Sequence, residues 1–295
     1  MKVCFARMLL LATCLAFLPQ SVFAQESETK PAKKTIKAED GTPIVCEVQG
    51  KGDTALVFLH GWCGDHEYWK NQVEAFAPNY RIVAIDQAGH SGSGKDRKEW
   101  KISDLARDVE TVVKELGLKR VILVGHSMGG PVSLMAAKRM PGTVVAVIGV
   151  DTLHNAEYKM PEDTVKQFTQ MFETNFSGTV GTMFGSMLNE KVDPSLKKWL
   201  GDKAASQDQK MAMGLMRDML PLDTVTLFKE AKVPVRCINS SGGYQFFRPT
   251  DAEINKKYCD FNVVTIADVG HYPMLEKPEE FNKKLGEVLK EFEKK

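Results

Sequence analysis

A single serine stands in a sequence setting that favours nucleophilic catalysis. Residues 125–129 read Gly-His-Ser-Met-Gly; they follow an apolar segment, residues 120–124, and precede a helical pattern. A chain that turns from strand to helix in so few residues holds the central residue, Ser127, in a strained backbone conformation with an exposed hydroxyl. Side chains at positions 125 and 129, two residues from Ser127 on either side, would collide with neighbouring backbone. This explains why both positions are glycine. The pattern predicts that Ser127 is a nucleophile.

Two main-chain N–H groups are candidates for holding the negative charge that forms when a serine attacks a carbonyl. The turn from strand to helix leaves the N–H of Met128 at a helix start, where an anion binds readily. Residues 60–64 (His-Gly-Trp-Cys-Gly) follow the apolar Ala55–Leu59 segment, and their turn can present the N–H of Trp62 toward the same point. We expect these two donors to form an oxyanion hole. Cys63 is a weaker nucleophile candidate, because no basic neighbour that would lower its pKa is evident.

A serine hydroxyl needs a base, and His271 is the histidine best placed to act as one. The sequence has six histidines, of which His271 alone lies far downstream of Ser127 in a loop that follows a predicted strand. A base must be neutral to accept a proton. Since a histidine ordinarily titrates near pH 6.5, activity should rise between roughly pH 6 and 8. The other five histidines are interpreted as packing, loop or pocket residues.

Strand and helix patterns alternate along most of the chain that positions these residues. Short apolar runs predict buried strands, and apolar residues at helical spacing, as between Ile102 and Leu116, predict the helices between them. This alternation predicts an α/β fold with a mostly parallel sheet covered by helices on both faces. The alternation stops over residues 152–232, which contain eight of the 14 methionines. We interpret 152–232 as a helical lid inserted between sheet strands, and 35–151 with 233–295 as the core.

Composition and charge exclude several other classes of protein. Lysine and arginine number 39 against 38 aspartates and glutamates, so no basic field is available to hold a nucleic acid. Hydrophobic residues make up 43% of the chain, which excludes general disorder. No cysteine and histidine spacing typical of a metal site is present. We therefore expect a small-molecule substrate, with no metal, organic cofactor or nucleic-acid partner.

The first 24 residues have the pattern of a secretory signal peptide. Two basic residues precede an apolar run, residues 8–18, and small or modest residues follow at positions 22 and 24. The run is too short to span a bilayer, so we expect an exported protein, periplasmic or secreted, with no stable membrane anchor after cleavage. Residues 25–34 are polar and are predicted to be a flexible leader. Export would place four cysteines in an oxidising compartment, with their pairing left open: Cys46, Cys63, Cys237 and Cys259.

Taken together, these motifs resemble the α/β-hydrolases, in particular their capped, lipase- and esterase-like branch. The resemblance covers residues from about 35 to 293, and it includes the segment 86–93 (DQAGHSGS) and a closing helix that begins near Pro278. The family orders its catalytic residues as nucleophile, acid and histidine, and this chain fits that order. Ser127 argues against the members that use an aspartate as nucleophile, the dehalogenases and the epoxide hydrolases.

The acid partner of His271 is the point where the sequence departs from the family. The commonest family acid follows the strand predicted at 233–239, but no carboxylate occurs there before Asp251. A minority arrangement places the acid one strand earlier, where this chain has Asp151. We favour Asp151, because a charge that closes an apolar strand needs a partner. Asp251 is an alternative with a structural explanation as a helix cap, and the last alternatives are Asp260 or no acid at all.

The resemblance implies a serine hydrolase, most simply a carboxylesterase that acts on small to medium apolar esters through an acyl-enzyme. The same residues would also support cleavage of carbon–carbon bonds, lactones or amides, or perhydrolysis. A binding or sensor protein of low turnover on a hydrolase scaffold is an alternative from another class. Only the missing acid after the 233–239 strand favours it. The sequence does not indicate an oligomeric state.

Overall fold

The computed structural model describes residues 31–241 and 249–293. The predicted signal peptide, residues 1–24, lies outside the described residues, as does most of the predicted leader. No helix in the described part of the chain is long and apolar enough to cross a membrane.

Eight strands form a single mixed sheet. They are β1 (Ala32–Lys37), β2 (Pro43–Gln49), β3 (Ala55–Leu59), β4 (Arg81–Asp86), β5 (Val121–His126), β6 (Val144–Val150), β7 (Val235–Ser240) and β8 (Phe261–Ile266). Their spatial order is β1-β2-β4-β3-β5-β6-β7-β8. The pairs β1–β2 and β2–β4 are antiparallel, and the remaining neighbours are parallel. All residues of β3 and β5 are buried, as expected for a parallel sheet covered on both faces.

Ten α-helices accompany the sheet in the described residues. Five belong to the core: α1 (Lys70–Phe76), α2 (Ile102–Glu115), α3 (Gly129–Arg139), α9 (Pro273–Glu276) and α10 (Pro278–Leu289). Five follow β6 and precede β7: α4 (Glu162–Thr174), α5 (Phe176–Ser186), α6 (Pro194–Ala205), α7 (Gln209–Met219) and α8 (Thr224–Ala231). We call residues 152–232 the insertion. The mostly parallel sheet with its helices confirms the predicted α/β class.

The first strand corrects one boundary of the sequence prediction. The polar composition predicts a flexible leader through residue 34, but β1 begins at Ala32 and pairs with β2 from Ala32–Val48 to Lys37–Pro43. Ile36 is the one buried residue of β1. An edge strand of this kind is ordered by its main-chain hydrogen bonds to the neighbouring strand, which its polar side chains do not reveal.

The parallel strands bring their carboxyl ends to one edge of the sheet. In the register of the sheet, His126 on β5 lies beside Val150 on β6, and Val150 lies beside Ile238 on β7. The residues that follow these strands therefore start from a common edge. Ligands bind at this edge in open α/β sheets.

Candidate active site

Ser127 occupies a strained turn between β5 and α3. Its backbone φ is +50°, in the left-handed region that residues other than glycine rarely adopt. A Cβ added to Gly125 would lie 2.2 Å from the carbonyl oxygen of Gly129, and one added to Gly129 would lie 2.5 Å from the carbonyl oxygen of Leu59. No side chain fits in either place. The turn is further held by a hydrogen bond from the Thr152 hydroxyl to the Ser127 carbonyl at 2.8 Å.

His271 is hydrogen-bonded to the carboxylate that ends β6. The distance from His271 Nδ1 to Asp151 Oδ2 is 2.6 Å, although the two residues are separated by 120 positions in the chain. The other carboxylate oxygen, Asp151 Oδ1, accepts hydrogen bonds from the backbone N–H and the hydroxyl of Ser240, both at 2.8 Å. The carboxylate is thus buried with three donors around it, a strongly satisfied arrangement.

This environment keeps the carboxylate ionised. Burial by itself raises the pKa of Asp151, but the hydrogen bond from His271, its charge and the N–H of Ser240 outweigh burial and lower the pKa below its ordinary value. An ionised carboxylate only accepts hydrogen bonds, so His271 carries a proton on Nδ1. In the neutral imidazole the lone pair is then on Nε2, as a general base for a serine requires.

The other two acids that the sequence offers do not stand at the end of a strand. Asp251 belongs to the 3₁₀ segment Pro249–Lys257 rather than to the end of a strand. Asp260 pairs with Arg236, at 3.1 Å between Oδ1 and Nη1. The carboxylate on His271 Nδ1 is that of Asp151.

The turn after β3 packs directly against Ser127. A Cβ added to Gly61 would lie 3.0 Å from Ser127 Cβ, so only glycine allows this approach. Next to it, the main-chain N–H of Trp62 donates in none of the hydrogen bonds among the described residues, and the same holds for the N–H of Met128. Two unused donors beside a strained serine have the character of an oxyanion hole.

Two buried neutral histidines hold this turn in place. His60 Nε2 accepts a hydrogen bond from the backbone N–H of Gln87 at 3.0 Å, so its Nδ1 donates to the Gly61 carbonyl at 2.7 Å. His90 Nε2 lies 3.3 Å from the backbone N of Cys63, which donates to it. Burial lowers the pKa of His60 to about 4 and that of His90 to about 3. Both side chains are therefore uncharged at neutral pH.

The insertion contacts two segments of the candidate site. They are the turn at residues 60–64, which we call the oxyanion turn, and the loop at residues 270–272, which we call the histidine loop. Trp62 donates its indole Nε1–H to the Ala212 carbonyl of α7 at 2.7 Å. Its ring lies against three phenylalanines of α4 and α5, with centroid distances of 5.5, 6.2 and 6.0 Å: Phe172, Phe176 and Phe184. On the other side of the site, the backbone N–H of His271 donates to the Met187 carbonyl at 2.8 Å.

Among the described residues, no hydrogen bond joins the Ser127 hydroxyl to His271. Catalytic hydrogen bonds of this type are often long or misaligned without substrate and tighten in the complex. Cys63 is fully buried, and burial raises its pKa, so its thiol does not ionise to a nucleophile. The four cysteines of the described chain carry free thiols: Cys46, Cys63, Cys237 and Cys259.

Sequence reasoning missed Ser240 and the specific role of Trp62. Ser240 ends β7, at the position where the commonest family acid would follow and this chain has no carboxylate. The polar run Asn239–Ser241 after an apolar strand was the available signal, because polar groups at that edge must face the site. The indole bond of Trp62 has no sequence signal, since its acceptor lies 150 residues away. No group of three or more potential metal ligands occurs among the described residues.

Comparison with known proteins identifies the fold family. The family model described as alpha/beta hydrolase fold matches residues 54–218. The AB hydrolase superfamily protein YisY of Bacillus subtilis is 24% identical over 259 residues, which cover 84% of this chain and 95% of YisY.

Solved structures show the same fold. An esterase from Exiguobacterium antarcticum superposes with a TM-score of 0.80 at 20% identity, covering 88% of this chain and 100% of the esterase. A bromoperoxidase from Bacillus anthracis superposes with a TM-score of 0.79 at 19% identity, with the same coverage of 88% and 100%.

Proposed function

The chain belongs to the α/β-hydrolase fold family, and from that membership we propose that it is a serine hydrolase whose substrates are carboxylic esters. The observation that carries the proposal is the 2.6 Å bond from His271 to the buried carboxylate of Asp151, at the sheet edge where Ser127 sits on its strained turn. A binding protein would have no need of a buried carboxylate hydrogen-bonded to a histidine beside a strained serine, because each feature costs folding free energy.

The proposed reaction proceeds in two acyl-transfer steps. His271 Nε2 takes the hydroxyl proton of Ser127 while Oγ bonds to the ester carbonyl carbon. The carbonyl oxygen becomes an oxyanion held by the N–H groups of Trp62 and Met128. The imidazolium then gives its proton to the leaving alcohol, and the carbon–oxygen bond to that alcohol breaks. Water attacks the acyl-enzyme with His271 again as base, which releases the carboxylic acid and restores Ser127.

Asp151 and the insertion have supporting roles in this proposal. Asp151 holds the His271 imidazole in the required tautomer and stabilises the imidazolium without taking its proton. The insertion would act as a lid, because its aromatic rings lie against Trp62 and its Met187 carbonyl holds the histidine loop. An apolar cover of this kind excludes water and suits small to medium apolar esters.

The proposal is tested by replacing the nucleophile. We expect Ser127→Ala to remove hydrolysis of p-nitrophenyl esters and covalent labelling by a fluorophosphonate, because no other hydroxyl is placed on the strained turn. Ser186→Ala is a matched control: this serine is exposed at the end of α5, and its hydroxyl donates to the Met183 carbonyl of its own helix. Labelling is read as an added mass on the intact protein, with circular dichroism as the check on folding.

The outcomes separate the function from its alternatives. Full ester turnover by the folded Ser127→Ala variant would disprove the mechanism. A wild-type protein that neither labels nor turns over would favour a binding protein. A panel of esters, lactones, amides and diketones, with hydrogen peroxide as a second acceptor, then identifies which bond is cleaved fastest, since fold and catalytic residues do not separate these reactions.

A further inference from the structure

His126, the residue before Ser127, connects the nucleophile to the histidine loop. Its Nε2 lies 2.8 Å from the main-chain oxygen of His271. The two imidazole rings have centroids 4.7 Å apart, and Tyr272 packs on the same ring at 5.0 Å. His126 is buried, with 1% of its surface exposed. The mechanism above assigns no role to this buried titratable side chain.

The chemistry of the contact determines the state of the His126 ring. A carbonyl oxygen only accepts, so the proton must be on Nε2 and the lone pair on Nδ1. Nδ1 is buried and has no hydrogen-bond partner among the described residues. It faces the oxyanion turn, because a Cβ added to Gly61 would lie 2.8 Å from it. Burial lowers the pKa of His126 to about 3, which keeps the ring neutral at working pH.

The main chain of His271 is therefore held at both of its polar groups. Its N–H donates to the Met187 carbonyl of the insertion, and its carbonyl accepts from His126. The side chain is held separately by Asp151 through Nδ1. Because His126 and Ser127 are consecutive, the His126 bond ties the backbone of the base to the backbone of the nucleophile through a single residue.

We propose that His126 is a positioning residue, whose Nε2–H holds the His271 carbonyl and thereby sets the distance between the His271 imidazole and the Ser127 hydroxyl. The inference rests on the proposed function. In this role, His126 acts through His271 and needs no contact with the substrate. In a purely structural role, the ring would only fill space between Gly61 and Tyr272. In that case kcat would depend on the shape of the side chain and not on its N–H donor.

Two substitutions separate the donor from the shape. His126→Gln keeps an N–H at nearly the same distance from Cβ as Nε2, and His126→Phe keeps the ring but removes the donor. We expect His126→Phe to lower kcat on the order of 10- to 100-fold with KM changed by less than about twofold, because a small misplacement of the base slows chemistry more than binding. We expect His126→Gln to restore kcat to within about threefold of wild type.

The fluorophosphonate reaction provides an independent kinetic measurement. Its rate constant should fall in His126→Phe in parallel with kcat and recover in His126→Gln. Wild-type kcat in folded His126→Phe, or equal losses in the two variants, would overturn the proposal in favour of packing. Failure of the proposed function is distinguishable, because wild type itself would then not label.

A measurement on the wild-type protein covers the case in which the phenylalanine variant does not fold. Long-range proton–nitrogen NMR correlation reports which ring nitrogen of His126 carries the proton. We expect the Nε2–H tautomer, unchanged between pH 5 and 8. A proton on Nδ1, or titration of His126 in that range, would contradict the hydrogen bond on which the inference depends.

Discussion

The carboxylate of Asp151 bonds to the imidazole of His271, 120 residues away, across the end of β7. This strand lies between β6, which precedes Asp151, and β8, which precedes His271. Asp151 follows β6, His271 follows β8, and Ser240 at the end of β7 donates two hydrogen bonds to Asp151 Oδ1. Ser240 thus holds Oδ1, the carboxylate oxygen that does not bond to His271. The backbone φ of Asp151 is +43°, in the same left-handed region as that of Ser127.

Replacing this acid should remove most of the rate. We expect Asp151→Asn to lower kcat by about 10⁴-fold, because an amide N–H facing Nδ1 favours the imidazole tautomer that cannot accept the Ser127 proton. Steady-state hydrolysis of a p-nitrophenyl ester measures the change. Asp251→Asn is the matched control and should stay within about twofold of wild type. A larger loss in the Asp251 variant than in the Asp151 variant would reassign the acid.

Among the elements, the insertion connects the two halves of the candidate site. α7 holds the oxyanion turn through the bond from the Trp62 indole to Ala212, and the residue after α5, Met187, holds the backbone of His271. In contrast, α4 is largely exposed, and Phe172 is its one buried residue. The helix α7, with five buried residues, is therefore packed more deeply than α4.

Loss of the indole donor should weaken both stability and catalysis. We expect Trp62→Phe to lower the free energy of unfolding by about 1 kcal/mol, the usual net value of one hydrogen bond. It should also lower kcat about tenfold, because the N–H of Trp62 loses its fixed position. Urea unfolding and ester kinetics measure the two effects.

The matched control for that prediction is Trp199, a tryptophan of the insertion. Trp199→Phe changes a ring on α6 that packs on Tyr68 at 5.6 Å and is not one of the three rings that contact Trp62. It should alter stability but leave kcat unchanged. If Trp62→Phe also leaves kcat unchanged, the insertion does not position the oxyanion donor.

At the scale of the whole molecule, buried histidines make the fold sensitive to acid. Burial lowers the pKa of His60 to about 4 and the pKa values of His90 and His126 to about 3. Because these values lie below that of an unfolded histidine, near 6.5, the unfolded chain takes up protons first. The neutral side chains therefore contribute fully to the free energy of unfolding above about pH 6.5, and this contribution is lost as the pH falls below that value. His66 has the opposite sign, since its bond to Asp86 raises its pKa.

Stability should therefore fall steeply between pH 6 and 4. Each of the three histidines contributes a loss of about 1.4 kcal/mol per pH unit once the unfolded side chain is protonated. Urea unfolding at pH 7, 6 and 5 measures this slope. His90→Gln should reduce the slope, because it removes one of the three histidines whose pKa is lowered to about 3 or 4. A free energy of unfolding that stays constant from pH 7 to 5 would contradict the assignment of these histidines as neutral.

Local patterns of the sequence determined the fold class, the strand–turn–helix at Ser127 and the loop that carries His271. These features depend on residues within one or two turns of each other, so composition and spacing suffice to predict them. The fold class is confirmed, whereas the start of β1 at Ala32 was missed because edge-strand pairing leaves no apolar pattern.

Only the tertiary structure decided which groups meet. The sheet order β5-β6-β7-β8 brings Asp151, Ser240 and His271 together, and neither that order nor the register is visible in a single sequence. The same holds for the bond from His126 to the His271 carbonyl and for the indole bond of Trp62, which span 145 and 150 positions. Contacts at such separations follow from how whole elements pack, and a local pattern carries no information about that packing.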